Sequence, residues 1–190
     1  MLLIVKLTLT PILVGLMSLA ARKWGPTIGG LITGLPWMTG PILLFFALDK
    51  GEAYAAAVAI GVELGAAAIG AFALTYSMLA RVAPWPLCLA AAVVAYFAAG
   101  WYLTELPLNL YQAASVGYAG LFAAFALIPA PRTPDGPRGL PWWDIPVRML
   151  ATFVLVAAIT FSSERLGARF SGVVATYPVI ITVVAAFTHH

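Results

Sequence analysis

Very few side chains in this chain can do chemistry, and the most unusual of them is a carboxylate. Glu63 is flanked by Gly61 and Gly65 in a long apolar run, far from any other acid or base. A charge near the centre of a bilayer costs about 2.5–3.5 kcal/mol, so a carboxyl there must face protein, pair, or hold its proton. It suits a proton- or cation-coupling group. A protonated Glu bonded across helices, or a span shifted so that Glu63 nears the interface, would place it as well. A second candidate is the stretch Gly25-Pro26, Gly29-Gly30, Gly34-Leu35-Pro36 and Gly40-Pro41. Pro removes a backbone donor and Gly loosens the chain, so this segment predicts a kinked or broken helix near Gly34 to Pro41. Thr33, Trp37 and Thr39 lie beside the break. Unwound backbone at membrane depth is tolerated where it is buried in protein or lines a cavity, and transporters use such breaks to bind substrate or ions. A static kink that lets helices pack closely is the structural alternative. Third, Asn109, Gln112 and Ser115 recur at helical spacing and could line a polar path or bond between helices.

The remaining reactive types support no catalysis. Cys88 stands alone among Leu and Ala, which excludes an internal disulfide and a cysteine metal site. His189 and His190 are adjacent, point about 100° apart on a helix and make a poor metal pair. There is no Ser/His/acid set, no paired carboxylates and no phosphate-binding glycine loop after a strand. The sequence therefore predicts no enzyme, no metal and no cofactor.

The elements that must position these residues follow from composition. The chain has 190 residues, 63% hydrophobic and 9% charged, with 10 Lys+Arg against 7 Asp+Glu. Soluble domains carry roughly 25% charged residues, so a soluble globular enzyme and a disordered chain are excluded. Scattered cations form no nucleic-acid surface; their use here is topological, and the principal partner is the lipid bilayer. Each helical residue rises about 1.5 Å and a bilayer core is about 30 Å thick. Charges and prolines then punctuate an all-α, polytopic membrane protein of about seven spans, at about 3–21, 27–48, 53–80, 85–103, 107–130, 145–163 and 170–188. A single transmembrane domain covers 1–190, with a polar, Pro-rich cytoplasmic loop at about 131–144. No cleavable signal peptide is evident, because the first run holds Lys6 and ends at Arg22-Lys23. The positive-inside tendency puts Arg22, Lys23, Arg81, Arg132 and Arg138 in the cytoplasm and the N-terminus outside, yet leaves Arg165 and Arg169 outside too.

An internal repeat accounts for that exception. With Val5 set on Val147, Lys6 meets Arg148, Thr10 meets Thr152, Lys23 meets Arg165, Gly25 meets Gly167, Gly30 meets Gly172, Pro36 meets Pro178 and Phe45 meets Phe187. Unit A spans about 5–48 and unit B about 147–190, and an odd number of spans between them inverts the second copy. Thr176, Thr182 and Val183 replace Gly34, Gly40 and Pro41, so the break at Pro178 should be milder than that at Pro36. The frame R-K-x-G-x-x-x-x-G-x-x-x-x-x-P of the first copy, met again at Arg165, Gly167, Gly172 and Pro178, resembles the small GlpM-like bacterial inner-membrane proteins. The resemblance implies a bacterial inner-membrane location and short helical units with a cation-Gly-Gly-Pro hairpin, here present twice and fused through an extra span. It implies little about activity.

The function expected is secondary, proton- or cation-coupled transport of a small solute or ion. The site would lie near the midplane, between Thr33, Pro36, Trp37 and Thr39 of the Gly/Pro-broken second helix, Glu63, Asn109, Gln112 and the repeated Pro178. The alternative is a non-transporting structural or accessory subunit, assembling through Gly-rich helix faces, for instance as a homo-oligomer.

Overall fold

The computed structural model describes residues 39–128 and 165–178 continuously, together with positions 8, 11, 12, 15, 16, 19, 23, 143, 145–147, 149–151, 153, 154, 157, 181 and 182. Every regular element among them is helical: α1 (Thr39–Lys50), α2 (Glu52–Leu79), α3 (Trp85–Thr104), α4 (Leu110–Leu127) and α5 (Ala168–Ala175). By length and composition α2, α3 and α4 can each cross a membrane.

Local chemistry sets the boundaries. Gly51 joins α1 to α2 at φ 87°, ψ 166°, a region that only glycine enters freely. Its N–H bonds to the Ala47 carbonyl and its carbonyl takes the Ala55 N–H, so one residue ends a helix and begins another. Glu52 then puts a negative charge in the first turn of α2, where the helix dipole favours it. Pro84 caps α3 and Pro86 falls in its first turn, where a missing N–H costs nothing. The α4 boundary differs from the expected span of about 107–130, because the helix begins at Leu110 with Asn109 as its cap. Of the expected break over Gly34 to Pro41, residues 34–38 lie outside the described residues. Thr39, Gly40 and Pro41 are helical.

α2 is the central element. It packs against α1, α3, α4 and α5, and its small residues let backbones meet. On one face, a Cβ on Gly61 would strike the Arg169 backbone and one on Gly65 the Thr176 side chain. Reciprocally, a Cβ on Gly172 would strike the backbone of Val58, Gly61 and Val62. On another face, a Cβ on Gly117 of α4 would meet the Glu63 carbonyl, and one on Gly120 would lie 2.7 Å from the Ala67 Cβ. The Gly61/Gly65 ridge thus brings a helix close, as small-xxx-small spacing predicts.

Two apolar clusters flank α5. Ile42 and Phe46 of α1, Val58 of α2 and Val174 and Ala175 of α5 form one; Ala68, Phe72, Ala92, Tyr96 and Val173 form the other. Cys88 is buried, with its thiol 3.3 Å from the Ala83 carbonyl. Trp85 and Trp101 stand near opposite ends of α3, about 24 Å apart along its axis, both substantially exposed. That spacing suits two membrane interfaces. A Cβ on Gly15 would lie 2.9 Å from the Met149 sulfur.

Gly172→Ala should destabilise the protein by about 1–3 kcal/mol, because the new methyl meets backbone that cannot rotate away. Gly40→Ala, whose Cβ would meet nothing within 4 Å, should be neutral or slightly stabilising. Unfolding midpoints of the two variants in mixed micelles check the contrast, and equal midpoints would contradict the close approach of α5 to α2.

Candidate functional site

α5 is eight residues long and stops inside the protein. It starts after Gly167, in the same positive-φ conformation as Gly51 (φ 73°, ψ 163°). Arg169 fixes which end of the bundle this is: its guanidinium donates to the carbonyls of Leu106 at 2.7 Å and Leu108 at 3.1 Å, in the turn between α3 and α4. From there eight residues carry the chain about 12 Å into the bundle.

At that depth the helix ends. Thr176, Tyr177 and Pro178 are non-helical, and residues 181 and 182 are helical again. Pro178 has no N–H to give the Val174 carbonyl, and the Tyr177 N–H takes that acceptor instead at 3.2 Å. The Thr176 N–H is shared between the carbonyls of Gly172 at 3.2 Å and Val173 at 3.1 Å. Side chains complete the closure. The Tyr96 hydroxyl of α3 donates to the Val173 carbonyl at 2.6 Å and lies 3.0 Å from the Thr176 hydroxyl, which is itself 2.8 Å from the same carbonyl. Beyond the break, the Thr182 N–H and hydroxyl both reach the Pro178 carbonyl at 2.9 Å, and that hydroxyl is 3.1 Å from the Tyr177 hydroxyl.

Aromatic rings surround the discontinuity. The Tyr177 ring stacks on Phe97 at 5.6 Å and meets Tyr96 edge-on at 5.2 Å and Phe72 edge-on at 6.4 Å. Tyr96 is fully buried, and its hydroxyl is spent on the break. A buried tyrosine needs a partner for its O–H; that requirement was the available signal for Tyr96, and the sequence alone gave no way to name the partner.

The expected site residues fall in different places. Pro178 is buried in the discontinuity itself. Thr39 is buried at the start of α1, and Thr33, Pro36 and Trp37 lie outside the described residues. Glu63 is partly buried on α2, and among the described residues it has no hydrogen-bond or ion-pair partner. Its backbone faces Gly117 of α4, whereas Gly61 and Gly65 face α5. At 100° per residue, Glu63 projects from the side of α2 opposite that ridge, so the carboxylate and the break do not share a face.

Asn109 and Gln112 are not midplane groups. Both are exposed at the start of α4, where the Asn109 side chain accepts from the Gln112 N–H at 2.9 Å and the Gln112 side chain from the Asn109 N–H at 3.0 Å. This capping box satisfies donors that the first turn leaves open, which is a structural duty at the helix end. Ser115 is likewise bonded within its own helix, to the Tyr111 carbonyl at 2.9 Å. Among the described residues no three His, Cys, Asp or Glu side chains gather.

Removing one hydroxyl tests the clamp on the break. Tyr96→Phe should cost about 0.6–1.7 kcal/mol, the range for a hydrogen bond between membrane helices. Amide exchange should quicken at Thr176 and Tyr177 and stay unchanged in α4. Comparison with protein-family models, curated proteins and solved structures returns no match, so the functional reading rests on this geometry.

Proposed function

We propose that the chain is a secondary transporter of the bacterial inner membrane, coupled to protons or another cation and moving a small solute or ion. The observation that carries this reading is the buried discontinuity at Thr176, Tyr177 and Pro178, a short helix ending deep between α2 and α3 with hydroxyls of Tyr96, Thr176 and Thr182 around it. Discontinuous helices of this kind hold substrate or ions in transporters, at the interface of repeats. In the proposal the chain has about seven spans in two inverted copies, and Pro36 makes the matching break in the first. The outside N-terminus follows from the same orientation, and kinship with the GlpM-like proteins would supply the repeat unit.

Glu63 serves as the coupling group. Among the described residues it is an unpartnered carboxyl in the interior of an apolar helix, where gaining or losing a proton changes the cost of the surroundings. It acts from the α4 side of α2, while the break lies on the other side, so α2 carries the coupling between them. A non-transporting accessory subunit is the second reading. It is favoured by one observation: the polar groups described at the break bond to one another, as they would in a static, dry junction.

Two measurements separate these readings. With Cys88 replaced by Ser, a cysteine introduced at Thr176 should react with a membrane-impermeant thiosulfonate in vesicles if the break opens to water. Silence there, with a helix-end position such as Gln112→Cys reacting normally, favours the accessory subunit. In proteoliposomes loaded with a pH dye, at least one member of a panel of amino acids, sugars and organic acids should drive proton entry. Glu63→Gln should abolish that entry while leaving helicity unchanged, and proton entry equal to wild type would remove Glu63 from the mechanism.

A further inference from the structure

An open recess of about 270 Å³ lies where α3 ends and α5 begins, lined by Trp101, Thr104, Glu105, Arg169 and Phe170 among others. It is separate from the break, at the end of the bundle marked by the exposed Trp101, where aromatic residues sit at headgroup level. Its two charges are opposite in sign, yet they form no ion pair with each other. Among the described residues Glu105 has no ion-pair or hydrogen-bond partner. Arg169 bonds to two neutral carbonyls, at Leu106 and Leu108. Those bonds hold the guanidinium in place, and among the described residues they leave its charge unneutralised and three of its five N–H donors free. The apolar wall is the edge-to-face pair of Trp101 and Phe170, 5.3 Å apart.

A positive and a negative group facing one recess without touching are spaced for a ligand that carries both charges. We infer that this recess binds the headgroup of an aminophospholipid, with the phosphate on Arg169, the ammonium on Glu105 and the glycerol end of the lipid against Trp101 and Phe170. The volume falls below that of pockets for drug-sized ligands, and a headgroup needs no more. Location adds to the match, because an interfacial recess meets headgroups at the concentration of the bilayer itself. A primary ammonium can donate hydrogen bonds to Glu105; a trimethylammonium has none to donate and a glycerol headgroup has no positive charge. The site should therefore prefer phosphatidylethanolamine over phosphatidylcholine and phosphatidylglycerol. The inference rests on membrane embedding alone and stands or falls apart from the transport reading.

Calorimetric titration of the full chain in detergent with dioctanoyl phosphatidylethanolamine, phosphatidylcholine and phosphatidylglycerol, and with phosphoethanolamine, tests it. The wild type should bind phosphatidylethanolamine about tenfold or more tighter than the other two lipids. Glu105→Gln, at an exposed position, should erase that preference and leave phosphatidylglycerol binding unchanged. Arg169→Gln should weaken all the lipids. Because Arg169 also holds the turn between α3 and α4, that variant bears on the site only if its helicity is intact, and Glu105→Gln decides the matter in either case. Binding of phosphoethanolamine as tight as that of the lipid, with the same dependence on Glu105, would uphold the zwitterion site and assign it to a soluble ligand. Equal affinity for all three lipids, or a preference that survives in Glu105→Gln, would overturn it.

Discussion

A peptide group inside hydrocarbon has no water to bond with, and that constraint organises everything around α5. A helix that stops after eight residues in the interior leaves carbonyls without their usual donors. Each must be answered by protein, or the stop would cost several kcal/mol per group. Here the answers are local and specific. Tyr177 N–H replaces the donor that Pro178 lacks, Thr176 turns its hydroxyl back onto its own helix, and Tyr96 reaches across from α3. The polar closure is a requirement of the fold before it is anything else. It becomes a functional candidate because such a closure need not form at all: an unbroken apolar helix would satisfy the same chain without help.

Placing a helix end against two other helices demands that backbones come close, and this is the use of the glycines on α2. Between membrane helices there is little hydrophobic driving force, since lipid is as apolar as the partner helix. Association depends on contact and hydrogen bonds instead. Gly61, Gly65 and Gly172 remove the side chains that would hold α5 away, and without that approach Tyr96 could not reach Val173. Gly117 and Gly120 do the same for α4 on another face. α2 is therefore a shared wall whose sides both present backbone and methyl groups.

Much of this was legible from residue types. The limits of α2 and α3 follow from Gly51, Arg81, Pro84 and Glu105, because charges and prolines cannot continue an apolar helix in lipid. The Gly61/Gly65 ridge and the interruption at Pro178 were equally readable. Three things were not. Asn109 and Gln112 sit at helical spacing, which suggested a polar face. The same three-residue spacing is that of a capping box, and only the actual helix start at Leu110 tells the two apart. Arg169 looked like a cation on the wrong side for topology, whereas its guanidinium is committed to the carbonyls of Leu106 and Leu108, so it is retained for a local bond whatever the leaflet. Glu63 was expected to share a site with the broken second span, of which residues 34–38 lie outside the described residues, and with Pro178. Helical phase puts Glu63 and the end of α5 on opposite sides of α2, and phase relative to partners that are distant in sequence is set by packing.

That separation changes what a coupling mechanism would have to be. A carboxylate beside a bound solute could act on it directly; one on the far side of a helix can act only by shifting the helix. Both packed faces of α2 suit such a shift, because glycine and alanine surfaces slide with less rotamer rearrangement than interlocked large side chains. The energy scale is adequate as well. If Glu63 were shielded from water in one arrangement and hydrated in the other, ionisation would favour the hydrated one by about 2.5–3.5 kcal/mol. That is a bias of roughly a hundredfold in population, enough to move a marginal equilibrium and too small to lock it. The end of α5 would feel such a displacement first: Gly65 touches Thr176, and the bonds that close the break are few and short-ranged. In the proposed mechanism a proton on one side of α2 and a polar junction on the other would in this way be linked by a rigid element, with no ligand needing to bridge them.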